Sequence, residues 1–112
     1  MYGIVADNVE VGVCGLTSID KHNQSAEFSL YIRPDRHRMG YGADALRLLL
    51  RHAFFDLNLN RIWGETYEGN PALAMFEKVG MKQEGRLRQT YFREGRFIDS
   101  IIVSMLRTEW QC

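Results

Sequence analysis

Apolar and polar residues alternate along this chain with two different periods, and the switches between them mark the elements. Tyr2 to Ala6 and Val9 to Leu16 flank Asp7-Asn8 and predict strand, turn, strand. In the second run Val9, Val11 and Val13 alternate with Glu10, Gly12 and Cys14, the period of a half-buried strand. A polar turn follows at Asp20 to Gln24. Beyond it Ala26, Phe28, Leu30 and Ile32 take one face of a third strand, and Glu27, Ser29 and Tyr31 take the other. Pro34 ends that strand, because it has no N–H to give a ladder.

The period then becomes helical. Leu46, Leu49, Leu50, Ala53, Phe54 and Leu57 follow the i, i+3, i+4 rule, and Arg47, Arg51, His52 and Asp56 face outwards. Arg61 to Tyr67 predicts another strand, with Glu65 and Tyr67 on one face. Gly69-Asn70-Pro71 is a break whose proline suits a helix start. Ala72 to Val79 is that helix, and Gly80 is its terminating glycine. Met81 to Arg93 and Phe97 to Leu106 read as two strands joined by a hairpin at Arg93-Glu94-Gly95-Arg96. The order β-β-β-α-β-α-β-β predicts an α/β (α+β) chain with a mixed sheet and helices.

At 112 residues the chain has room for one core, so residues 1–112 are expected to form a single domain. The formal net charge of +0 gives no global attraction to nucleic acid or to an anionic membrane. No run approaches the ~18 apolar residues of a membrane span, and the N-terminus lacks a leader pattern. Neither nucleic acid nor membrane is an expected partner. The cysteines, Cys14 and Cys112, form no Cys-x-x-Cys pair, and His22, His37 and His52 have no metal spacing. These features predict neither a disulfide framework nor a metal, and a reducing cytoplasmic setting.

Positive charge is concentrated locally. Arg33, Arg36, His37 and Arg38 precede Gly40 and Gly42, just before the leucine-rich helix. A helix start offers unpaired N–H groups and the positive end of the dipole, and glycine lets an oxygen approach the backbone. The stretch suits an anion, in the first place a phosphate. It lacks the Gly-Lys-Ser/Thr ending of a Walker loop and the third glycine of the dinucleotide fingerprint. The plainer alternative is a tight strand-to-helix turn with solvated arginines.

The ordered set of strand, Gly-x-Gly loop, amphipathic helix, strand, Asn-Pro turn and the segment Phe76-Glu77-Lys78-Val79-Gly80-Met81 resembles the Gcn5-related N-acetyltransferase superfamily. That family's pyrophosphate loop reads Gln/Arg-x-x-Gly-x-Gly/Ala, and here it is His37-Arg38-Met39-Gly40-Tyr41-Gly42. The tail, with Glu84 to Arg88, Tyr91 to Gly95 and Met105 to Trp110, is similar to the subgroup of ribosomal-protein alanine and spermidine acetyltransferases. The resemblance runs from Val9 to near the end. It implies a mixed, mostly antiparallel central sheet flanked by helices. It also implies an N-acetyltransferase that moves an acetyl group from acetyl-CoA, without a metal, to a primary amine of a small molecule or a protein N-terminus.

By the same resemblance, backbone amides of Arg38, Met39, Gly40, Tyr41, Gly42 and Ala43 would hold the pyrophosphate. Leu30, Tyr31 and Ile32 would bond the pantetheine arm like an added strand, beside a splay whose backbone N–H meets the thioester oxygen. Asn70 and Phe76 would complete the cofactor site. Glu27 and Glu65, on central strands, are the candidate catalytic carboxylates, with Tyr67 and Tyr91 as further possible acids. The sequence departs from the family pattern in four places. His37 replaces Gln or Arg, and the Asn70 motif is one residue short. Phe76 replaces a tyrosine that protonates the leaving thiolate in many members. The strand and two helices that usually come first are lacking. Their absence predicts a homodimer, which covers an open face or edge. It also keeps open a second reading: a non-catalytic acyl-CoA-binding or dimerisation module.

Overall fold

The computed structural model describes residues 2–36 and 40–110. Six strands form one sheet: β1 (Tyr2–Ala6), β2 (Val9–Asp20), β3 (Ser25–Ile32), β4 (Arg61–Tyr67), β5 (Lys82–Arg93) and β6 (Arg96–Leu106). Their order is β1-β2-β3-β4-β6-β5, and every neighbouring pair is antiparallel except β3 with β4. A parallel pair needs a crossover connection. Helix α1 (Tyr41–Arg51) provides it, and α2 (Ala72–Val79) links β4 to β5. The expected element order and the mixed, mostly antiparallel sheet are both present.

Both helices cover one face of the sheet. Leu46, Leu49, Leu50 and Phe54 on the α1 side and Phe76 of α2 close over Ala26, Phe28, Ile62, Ile101 and Val103. Burying a side chain of this size contributes ~1.5–3 kcal/mol. Trp110 packs against Phe54 with ring centres 5.7 Å apart, the packing role its type suggests. In β3 the predicted alternation holds: Ala26 and Phe28 are buried under the helices, while Glu27 and Ser29 are half-buried and Tyr31 exposed on the other side.

In two places the apolar phase differs from the pattern. α1 runs directly into a wider turn over His52–Asp56, in which the Leu57 N–H donates five residues back to the His52 carbonyl at 3.0 Å. The extra residue rotates the chain. Leu57 therefore turns outwards, 41% exposed, and Leu59 fills the core in its place. In β2 a bulge at Val11 breaks the ladder: Ile4 opposes Gly12, but Val5 opposes Glu10. The helix-facing side chains beyond the bulge are Cys14 and Leu16, while Val13 stays half-buried. Cys14 is a free thiol in this core, and burial pushes its pKa up.

The second sheet face is open. It carries Glu27, Ser29 and Tyr31 of β3, then Trp63, Glu65 and Tyr67 of β4, and no helix of the described residues packs on it. The β5–β6 hairpin is tied down at its middle. Arg86 bridges Glu68 and Asp99, and the Gln89 N–H donates to Asp99 at 2.8 Å.

Candidate active site

The parallel pair β3–β4 is short. Its register covers only Ser25 with Arg61, Ala26 with Ile62 and Glu27 with Trp63. Beyond that rung the strands diverge, although β3 continues to Ile32 and β4 to Tyr67. We attribute this to the next position. A Cβ on Gly64 would fall 2.3 Å from the Phe28 ring, so that ring occupies the space beside Gly64 on the helix face. Phe28 is locked there, 6% exposed, by an edge-to-face contact with Phe76 at 5.1 Å. We infer that the ring, seated over the bare glycine, holds the strands apart there. From Phe28 to Tyr31 the β4-side edge of β3 has no ladder partner, and its backbone groups are available to an extended ligand.

The mouth of this gap meets the start of α1. Gly40 adopts φ 81°, a left-handed conformation that favours glycine, and a Cβ there would meet nothing within 4 Å. The first bond back into the helix is from the Asp44 N–H to the Gly40 carbonyl at 3.0 Å. No side chain of the described residues caps the helix, and among those residues the N–H groups of Tyr41, Gly42 and Ala43 are open to an anion. The surrounding charge is partly neutralised, since Asp35 pairs with Arg33 at 3.0 Å and with Arg36 at 3.9 Å. His37, Arg38 and Met39 lie outside the described residues.

Gly42 also has a packing role. Its missing side chain faces inwards: a Cβ would lie 3.1 Å from Met75 Cε, 3.6 Å from Ile32 and 3.8 Å from Leu30. The glycine lets α1 sit down on β3 and α2. Tyr41 turns its side chain away from the gap. It lines a separate, mainly apolar groove of about 520 Å³ between β1 and α1, with Tyr2, Ile4, Cys14 and Leu48.

Asn70 stands at the far wall, engaged within the protein. Its Oδ1 accepts from the Ala72 N–H at 2.9 Å, capping α2, and its Nδ2 donates to Thr66 Oγ1 at 2.8 Å. One lone pair and one N–H remain for a ligand. Phe76 is 6% exposed and packs in the core, edge-to-face against Phe28.

Glu27 and Glu65 share the open face, one on each strand of the diverging pair. Among the described residues neither carboxylate has an ion pair or a side-chain hydrogen bond, although both are half-buried. Tyr67 and Tyr91 close the same corner, with ring centres 5.8 Å apart. The arrangement can hold an extended thioester between two strands, its phosphates on a helix start, and an amine beside two carboxylates. The sequence showed these carboxylates but not the reason for the gap, which needs Phe28 and Gly64 to be seen together.

A mixed sheet splayed at a parallel pair, with a helix start at the splay, defines a class of acyl-CoA-dependent transferases. An acetyltransferase (GNAT) domain matches residues 1–82, and the chain belongs to that family. Its members use acetyl-CoA as acyl donor and an amine as acceptor. The chain is 32% identical over 109 residues to an uncharacterized N-acetyltransferase, p20, of Bacillus licheniformis, covering 96% of this chain and 61% of that protein. A crystal structure of a probable acetyltransferase superposes with a TM-score of 0.89 at 30% identity, covering 96% of this chain and 62% of that one. A dodecameric spermidine N-acetyltransferase from Vibrio cholerae superposes with a TM-score of 0.85 at 29% identity, covering 92% and 61%. The chain thus spans about three-fifths of the length of these relatives.

Proposed function

We propose that the chain is an acetyl-CoA-dependent N-acetyltransferase acting on a primary amine of a small molecule or a protein N-terminus. The observation that carries this reading is the β3–β4 divergence with the uncapped start of α1 at its mouth. Acetyl-CoA supplies the activated acyl carbon. The residues present fit it. Main-chain groups of Leu30, Tyr31 and Ile32 would bond the pantetheine arm, and the N–H groups from Gly40 to Ala43, with those of Arg38 and Met39, would hold the pyrophosphate. Glu27 would take the proton from the acceptor amine, with Glu65 holding the ammonium form beside it. Asn70 would act mainly by fixing the start of α2. The whole would work as one domain, in a cytoplasm reducing enough to keep Cys14 a thiol.

The experiment is a ligand-dependent melting curve followed by an amine panel. Acetyl-CoA at a hundred times its dissociation constant is expected to stabilise the fold by about 2.7 kcal/mol. Spermidine and peptides with free N-termini are expected to include an acetylated product detectable by mass. Stabilisation without any product would favour the non-catalytic acyl-CoA-binding module. No shift at all would end the cofactor reading.

We also infer that the chain self-associates as a homodimer through the β5–β6 hairpin. β5 is an edge strand of the sheet, and at the hairpin tip Phe92 and Phe97 are 64% and 61% exposed with rings in contact at 5.0 Å. Free edges and exposed aromatic pairs invite pairing. Sedimentation at tens of micromolar is expected to give a dimer that Phe92→Ser dissociates. A monomer under those conditions overturns it.

A further inference from the structure

In the proposed reaction the departing thiolate has no obvious proton donor. Phe76 has no acidic hydrogen, and its ring is enclosed on the helix face. The other face supplies one. Tyr91 lies on β5 opposite Ile98, and its ring reaches across β6 to meet Tyr67 of β4 at 5.8 Å. Tyr67 stands two residues beyond Glu65 on the same face, and the Arg93 guanidinium lies 3.9 Å over its ring centre.

Two independent observations mark this corner as built to receive something. Ser100 pairs directly with Tyr67, so it shares the open face. It is 0% exposed, and its Oγ has no hydrogen-bond partner. An unpaired buried hydroxyl is rare and costs about 1–3 kcal/mol. In addition, Tyr91 is half-buried, and its hydroxyl makes no hydrogen bond to any described residue. Burial first, then the charges of Glu65 and Glu27, push its pKa up, so the phenol keeps its proton at neutral pH.

We propose that Tyr91 is the proton donor to the leaving thiolate, acting from the open face in place of the missing donor at Phe76. This inference rests on the acetyltransferase reading above. In the step, the acceptor nitrogen bonds the acyl carbon and the carbon–sulfur bond breaks with its electron pair going to sulfur. Sulfur takes the Tyr91 hydroxyl proton. Glu27, having taken the proton lost by the amine, returns it to the Tyr91 phenolate, directly or through Glu65. A carboxylic acid protonates a phenolate readily, since their ordinary pKa values are about 4 and about 10. The amine proton thus ends on the thiol, and every group of the protein is restored. The same layout explains why a tyrosine sits beside two carboxylates without bonding either.

The test compares the full chain with Tyr91→Phe, which keeps the ring contact with Tyr67. Two readouts are taken: acetylation of the best amine, and the pH titration of the coenzyme A thiol bound to the protein, followed by thiolate absorbance. Tyr91→Phe is expected to lower turnover about a hundredfold or more, with an unchanged melting shift from acetyl-CoA. The bound thiol is expected to titrate at higher pH in the variant than in the wild type, because a donor to the thiolate has been removed. The wild-type titration alone also bears on the proposal. A thiol that titrates no lower bound than free overturns it, even if the variant fails to fold. A variant as active as wild type, with the same thiol titration, overturns Tyr91 as donor and leaves the acetyltransferase reading standing. A wild type that neither binds acetyl-CoA nor acetylates any amine overturns both.

Discussion

Glu27→Gln is expected to lower turnover by about a hundred- to ten-thousandfold, the usual contribution of a positioned general base. Glu27 sits on the last paired rung of β3 and β4, opposite Trp63, and its side chain stands where the strands begin to part. It shares a face with Ser29 and Tyr31, so it looks away from the Phe28 wedge. Among the described residues no cation pairs with it, so the carboxylate is available to an ammonium group. Glutamine preserves shape and burial, so the fold and the acetyl-CoA melting shift should be unaffected. The defect should shrink as pH rises. A lysine-like primary amine has a pKa of about 10.4 and a protein N-terminus one of about 7.7–8.0, and each unit of pH below the acceptor's value leaves roughly tenfold less free amine for a variant without a base. A pH–rate profile separates the cases. If Glu27→Gln matches wild type at every pH, Glu27 is structural and Glu65→Gln becomes the variant to measure.

How far the sequence carries can be judged residue by residue. The β3 alternation was legible because each side chain has one helix-covered and one open side to choose between, and the pattern is strictly two-fold. The α1 stripe was legible as far as Phe54. It failed at Leu57 because the wider turn is a change in hydrogen-bond ladder, and nothing in His52-Ala53-Phe54-Phe55-Asp56 announces it. The bulge at Val11 failed for the same kind of reason. Gly42 stood out in the sequence, but a sequence does not say which way an absent side chain would point, and here it is towards Met75. Asn70 before Pro71 and Ala72 was readable as a helix cap, a local role beside the cofactor contact that the resemblance implies. The divergence of β3 and β4 was not legible at all. It depends on a phenylalanine and a glycine far apart in the chain, brought together by the α1 crossover.

That wedge gives the largest expected effect on stability. Phe28→Ala removes a 6%-exposed ring from the core and leaves a cavity between β3, β4 and Phe76, so it should cost about 3–5 kcal/mol. Gly64→Ala attacks the same contact from the other side. Its Cβ would lie 2.3, 2.6 and 2.8 Å from three atoms of the Phe28 ring, closer than carbon atoms tolerate, and the ring can retreat only against Phe76. Overpacking of this kind should cost about 1–3 kcal/mol. The two costs should not add. Once Phe28 is alanine, the methyl group at residue 64 has room, and the double variant should be no less stable than Phe28→Ala alone. Equilibrium denaturation of the four proteins measures this coupling directly. Both single variants should also weaken acetyl-CoA binding, since a ring that moves or vanishes lets β3 and β4 close on each other. Additive costs would mean that Gly64 and Phe28 do not share one space, and the explanation of the gap would fall with them.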